Sequence, residues 1–130
     1  LNIVEFRNIE NPDKIVDIEI DEGSAQEQFD KAAAKDKYTV GGDVKLGNYT
    51  WKTLNFTWNK QPSVVLYTNI AEGLYAEVPL YETTLEDAAV TAFLEGVEFT
   101  TDYDAAHKAG MDTTVEKFAA DNNLKLWEAK

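Results

Sequence analysis

Apolar and polar residues alternate across residues 15 to 22, where Ile18 and Ile20 interleave with Asp17, Glu19 and Asp21. A period of two puts the isoleucines on one face of a strand and the carboxylates on the other, so this strand is predicted to be half exposed. "LNIVEF" before it is a second β-rich run. The intervening "NIENPD" carries the turn signal Asn11-Pro12-Asp13, and the two runs read as strands joined by a short loop.

The pattern then changes to helical spacing in "SAQEQFDKAAAKDK". Ser24 with Glu27 three residues on forms a capping box, and Phe29, Ala32 and Ala33 share one face. From Tyr38 to Tyr81 β-propensity returns, punctuated by Gly41-Gly42-Asp43, Gly47-Asn48, Lys60-Gln61-Pro62-Ser63 and Ala71-Glu72-Gly73. Four strands are predicted near 38–46, 49–58, 64–70 and 74–81, joined by short connections that favour an antiparallel meander.

"TTLEDAAVTAFLEG" is again helical, with Leu85, Ala88, Ala89, Ala92 and Phe93 on one face. Thr84 with Asp87 is expected to cap its start, and Gly96 to end it in a left-handed conformation. "VEFTT" reads as a further short strand. Residues 100–130 read as a helical C-terminal extension: a short helix ending at Gly110, then one capped by Thr113 with Glu116 that turns Val115, Phe118 and Ala119 inward.

The predicted fold is therefore α+β, an antiparallel meander covered by helices, in one domain over residues 1–130. The length of 130 residues is enough for one core, and 44% hydrophobic with 12% aromatic content is that of a globular chain. The formal charge of −12, from 24 acidic against 12 basic residues, repels phosphate backbones and argues against nucleic acid. Arg7 is the single arginine, so bidentate phosphate recognition is disfavoured as well. A second helix carrying Lys117 beside Glu116 and Asp121 does not suit a DNA reader.

With 0 cysteines there are no disulfides, thiolate zinc sites or cysteine nucleophiles. No run of 18 apolar residues is present to span a membrane. The start at Leu1, without a basic-then-apolar leader, reads as a mature or trimmed fragment.

Motifs for chemistry are sparse. His107 is the one histidine, Ser24 and Ser63 are the two serines, and no nucleophile elbow surrounds either serine. "DIEIDE", with Asp17, Glu19, Asp21 and Glu22, superficially resembles a calcium loop. Glu22 stands where that loop needs glycine, and the alternation favours a strand. Asp104 and His107 share a helix face but make no metal site alone. No phosphate loop is present, since Gly41-Gly42 lacks the lysine and following helix and reads as a bulge or turn. Of the triplets Asn48-Tyr49-Thr50 and Asn55-Phe56-Thr57, only the first is placed for glycosylation.

The densest aromatic stretch is "GNYTWKTLNFTWNK", residues 47–60. In a regular strand Tyr49 and Trp51 share one face with Thr53, Asn55 and Thr57, while Leu54, Phe56 and Trp58 lie on the other. Aromatics on both faces indicate a strand covered on both sides. Tyr49 and Trp51 are the pair expected to reach the surface and touch a ligand.

The order of helix "SAQEQFDKAAAKDK", strands "YTVGGDVKLGNYTWKTLNFTW", "SVVLYTNI" and "LYAEVPLY", and closing "TTLEDAAVTAFLEGVEF" resembles the PsbP-like α/β/α sandwich superfamily over residues 15–99. That superfamily includes photosystem accessory proteins, a Ran-binding nuclear-import factor and exported bacterial lipoproteins. The resemblance implies a noncatalytic accessory or binding domain, exported or at the cell surface and lipid-anchored through a segment ahead of Leu1. It implies a protein or glycan partner, no cofactor and no family-wide catalytic residues. The alternative function is a small hydrolase or metal-dependent module using the acidic clusters.

Overall fold

The computed structural model describes residues 2–102, 108, 114–121, 123 and 125. Its body is a seven-stranded antiparallel sheet, with three short helices delimited among the described residues, an α+β arrangement. The strands are β1 (Asn2–Arg7), β2 (Ile15–Glu22), β3 (Thr39–Val40), β4 (Val44–Leu46), β5 (Tyr49–Trp58), β6 (Gln61–Ala71) and β7 (Leu74–Tyr81). The helices are α1 (Ala25–Ala33), α2 (Ala88–Glu95) and α3 (Val115–Asp121). Spatial order is β1-β2-β7-β6-β5-β3, with β4 paired to β5 beside that path. The first two strands thus add to the meander through β7.

Strand β6 is central, and Ser63 through Thr68 are all buried. Its alternate residues feed two cores. Val64 and Leu66 join Trp51, Ala76, Val78 and Leu80 on one face, where Val90, Phe93 and Leu94 of α2 pack. Val65 and Tyr67 join Leu54 and Tyr75 on the other, where Ala25, Phe29 and Ala32 of α1 pack. Aromatics on both faces of β5 are therefore both used, as the alternation in residues 49–58 indicates.

The helix ends follow local chemistry. Ser24 Oγ accepts the Glu27 N–H at 3.4 Å, the cap predicted for α1. Helix α2 starts later than expected: Thr84 to Asp87 form a turn, Asp87 is the cap, and its Oδ1 accepts the Ala89 N–H at 3.0 Å. From that start the large residues Val90, Phe93 and Leu94 face the core while Ala88, Ala89 and Ala92 are exposed, which releases more apolar area from water than the alanine face would. In α3, Thr114 Oγ1 accepts the Lys117 N–H at 3.0 Å and Ala119 is buried. The proposed cap Thr113 and the helix ending at Gly110 lie outside the described residues.

Three further expectations are corrected. Gly96 ends α2 at φ −91°, in right-handed space, with its N–H bonded to the Phe93 carbonyl. "VEFTT" is not a strand: its Phe99 N–H donates to Tyr49 Oη at 2.8 Å, and Val97 and Phe99 pack on the core. The run 38–46 is split into β3 and β4, because the chain crosses Thr53 at Gly41, where a Cβ would stand 2.3 Å from Thr53 Oγ1.

Gly47 does need left-handed space, at φ +60°, and a Cβ there would meet the Glu95 carbonyl oxygen at 2.3 Å. Gly73, at φ +74°, has open space. Gly73→Ala should cost about 1 kcal/mol of backbone strain, and Gly47→Ala at least about 2 kcal/mol more because the end of α2 must move. Urea unfolding of both variants measures the difference; equal losses would show that the approach to α2 carries no energy.

Candidate functional site

Tyr49 and Trp51 lie within the first core. Trp51 is 0% exposed, and its indole N–H is buried without a hydrogen-bond partner. Tyr49 is half-buried, edge-on to Trp51 and to Phe99. The expectation that this pair reaches the surface is thus overturned for Trp51, because α2 and the segment after it cover that face of β5. Asn48 sits in the exposed β4–β5 turn, and Asn55 is exposed on β5. Ser63 is buried and structural, with Oγ donating to the Gln61 carbonyl and accepting the Glu82 N–H. Asp104 and His107 lie outside the described residues.

The aromatic from "GNYTWKTLNFTWNK" that does emerge is Trp58, 46% exposed, on the face that α1 covers only in part. Its ring lies 5.1 Å from Tyr81, Tyr81 lies 6.0 Å from Phe56, and Phe56 lies 5.5 Å from Tyr38. These four rings form a continuous strip at the open end of the sheet. They meet at 60°, 85° and 69°, so they pack edge to face instead of presenting one flat platform.

The strip borders the acidic face of β2. Cross-strand pairing sets Glu19 opposite Glu77 of β7 and Asp17 opposite Glu5 of β1. Directly opposed side chains stand about 5 Å apart at Cβ, so both pairs place like charges together. The Glu19 carboxyl is pushed up to about 7, first by burial, then by a hydrogen bond with Glu77 and the charges of Glu77 and Asp17. Burial and Glu5 also raise Asp17, one of whose oxygens is buried without a partner. Burial and the charges of Asp17 and Glu19 raise the Tyr81 phenol. Among the described residues only Arg7 answers this charge directly, its Nε 2.6 Å from Glu5 Oε1.

The β2–β7 pairing skips Asp17 and Ile18, opposite the part of β7 where Pro79 has no N–H to donate. Among the described residues no group of three or more metal-ligating side chains converges, and no helix is long and apolar enough to cross a membrane. The alternation in "DIEIDE" announced the carboxylate row. Trp58 with Tyr81, Phe56 and Tyr38 was not legible, because it joins positions on two strands and a loop that are distant in sequence.

Comparison of the chain with family models, curated proteins and solved structures finds no match.

Glu19 keeps its proton up to about pH 7 in the native state, against 4.5 for an ordinary glutamate. The native state therefore binds more protons across that window, and stability should fall as pH rises from about 4.5 to 7. Glu19→Gln removes the titration while leaving a hydrogen-bonding side chain. It should flatten the pH dependence and exceed wild type above pH 7 by on the order of 1 kcal/mol, given solvent screening at this half-open face. Urea unfolding at pH 5, 6, 7 and 8 tests this, and parallel curves for the two proteins would exclude Glu19 as the titrating group.

Proposed function

We propose that this protein is a noncatalytic accessory or binding domain of an exported or cell-surface protein, built as a helix-covered sandwich of the PsbP-like kind. Its binding surface is the strip of Trp58, Tyr81, Phe56 and Tyr38 together with the carboxylates of β1, β2 and β7. The observation that carries this reading is the contact of exposed Trp58 with half-buried Tyr81 beside the opposed carboxylates of Glu19 and Glu77, of which Glu19 is pushed up to about 7. Such a surface favours a ligand that brings positive charge and apolar stems.

A protein segment bearing Lys or Arg meets both demands. The lysine or arginine stem lies along the rings while its head relieves the Glu19–Glu77 and Asp17–Glu5 repulsion. A glycan is the weaker partner, because the tilted rings offer no coplanar stacking surface. The hydrolase alternative draws on the one carboxyl held near neutrality. Hydrogen-bonded carboxyls stand closer than the roughly 5–9.5 Å that glycoside hydrolysis uses, which argues against that chemistry.

Titration with a short peptide alternating lysine and leucine, and with a panel of oligosaccharides, separates the partners. The peptide should bind, weaken with added salt, and lose at least about tenfold in affinity in Trp58→Ala and in Glu77→Gln. Binding of an oligosaccharide alone would replace the partner class, and binding of neither probe would overturn the reading.

A further inference from the structure

The opposite face of the sheet carries a second concave feature. A cavity of about 110 Å³ opens between β1 and α2, walled by Phe6, Val16, Ala89, Val90 and Phe93. It adjoins a larger polar cleft of about 950 Å³ bounded by Asn55, Thr84, Glu82 and Glu86. Lys14, Thr83 and Asp87 line both, so they stand where the two spaces meet.

Lys14 is half-buried, and among the described residues its ammonium has no ion-pair partner. The nearby carboxylate of Asp87 is committed elsewhere: Oδ1 accepts the Ala89 N–H and Oδ2 accepts the Thr83 hydroxyl. Arg7, at the same rim, is held by Glu5 and by the Pro12 carbonyl. Lys14 is thus the one uncommitted cation at the mouth of an apolar slot.

We infer that the slot between β1 and α2 is a binding site for a small amphipathic carboxylate, its short apolar chain seated against Phe6 and Phe93 and its carboxylate paired with Lys14. Apolar cavities of about 150 Å³ take up benzene, so a slot of this size suits a chain of a few carbons. The adjoining cleft keeps the head group hydrated, and Asn55 supplies an exposed amide along its wall. The site lies on the face away from Trp58 and does not depend on the function proposed there.

The test is an NMR titration of the full chain with hexanoate, with hexan-1-ol and hexylamine as matched probes. Hexanoate should give saturable shifts at Val16, Val90 and Phe93 at millimolar concentration and bind at least about tenfold more tightly than either control. Lys14→Gln should erase that preference. Ala89→Phe, which fills the slot from an exposed helix position, should abolish the shifts while circular dichroism stays native. Absence of saturable shifts, equal binding of the alcohol, or unchanged affinity in Lys14→Gln would each overturn the proposal.

Discussion

Everything in this molecule depends on both sides of β6 being kept dry. Its residues from Ser63 to Thr68 are buried without a break, which a half-solvated antiparallel strand would not show. Apolar residues of α1 pack on one side, and those of α2 with Val97 and Phe99 on the other. Trp51 is the largest fully buried side chain and fills the second of these interfaces even though its indole N–H is left unpaired. Leaving such a donor unmade costs on the order of 1–3 kcal/mol, so the shape of the ring outweighs the lost bond.

Neither helix is long enough to cover its whole face. Helix α1 has nine residues and lies over β5, β6 and the near part of β7, which leaves β1 and β2 open on that side. The uncovered region is where the carboxylates accumulate. Part-burial beside like charges, answered only by Arg7 at Glu5 among the described residues, favours the protonated forms of Glu19 and Asp17. On the other face the same incomplete cover leaves the slot beside Lys14. The two candidate surfaces thus share one origin, a wide sheet served by short helices.

Much of the fold was legible from local patterns. The strand pair at the N-terminus, the Ser24 cap and the two-sided β5 follow from periodicity and turn chemistry alone. What escaped depends on distant partners. Gly96 looked like a left-handed stop, yet the close approach to the end of α2 falls on Gly47, nearly fifty residues earlier. Trp51 and Trp58 are equivalent to a reader of alternation. Only the placement of α2 and of Tyr81 decides that the first is core and the second surface. The acidic row was visible in "DIEIDE", but its pairing with Glu77 and Glu5 requires the register of three strands.

Pro79 gives the sheet a seam. With no N–H at that position, the β2–β7 ladder misses its rungs opposite Asp17 and Ile18, while β5, β6 and β7 are joined without such a gap along most of their length. Hydrogen-bonded units separate most cheaply where rungs are absent. The β1–β2 ribbon is therefore expected to part from β7 most easily along this seam. It carries Glu5, Asp17 and Glu19 on one side and Phe6 and Val16 on the other, with Lys14 just ahead of β2, so a parting there would alter both surfaces at once.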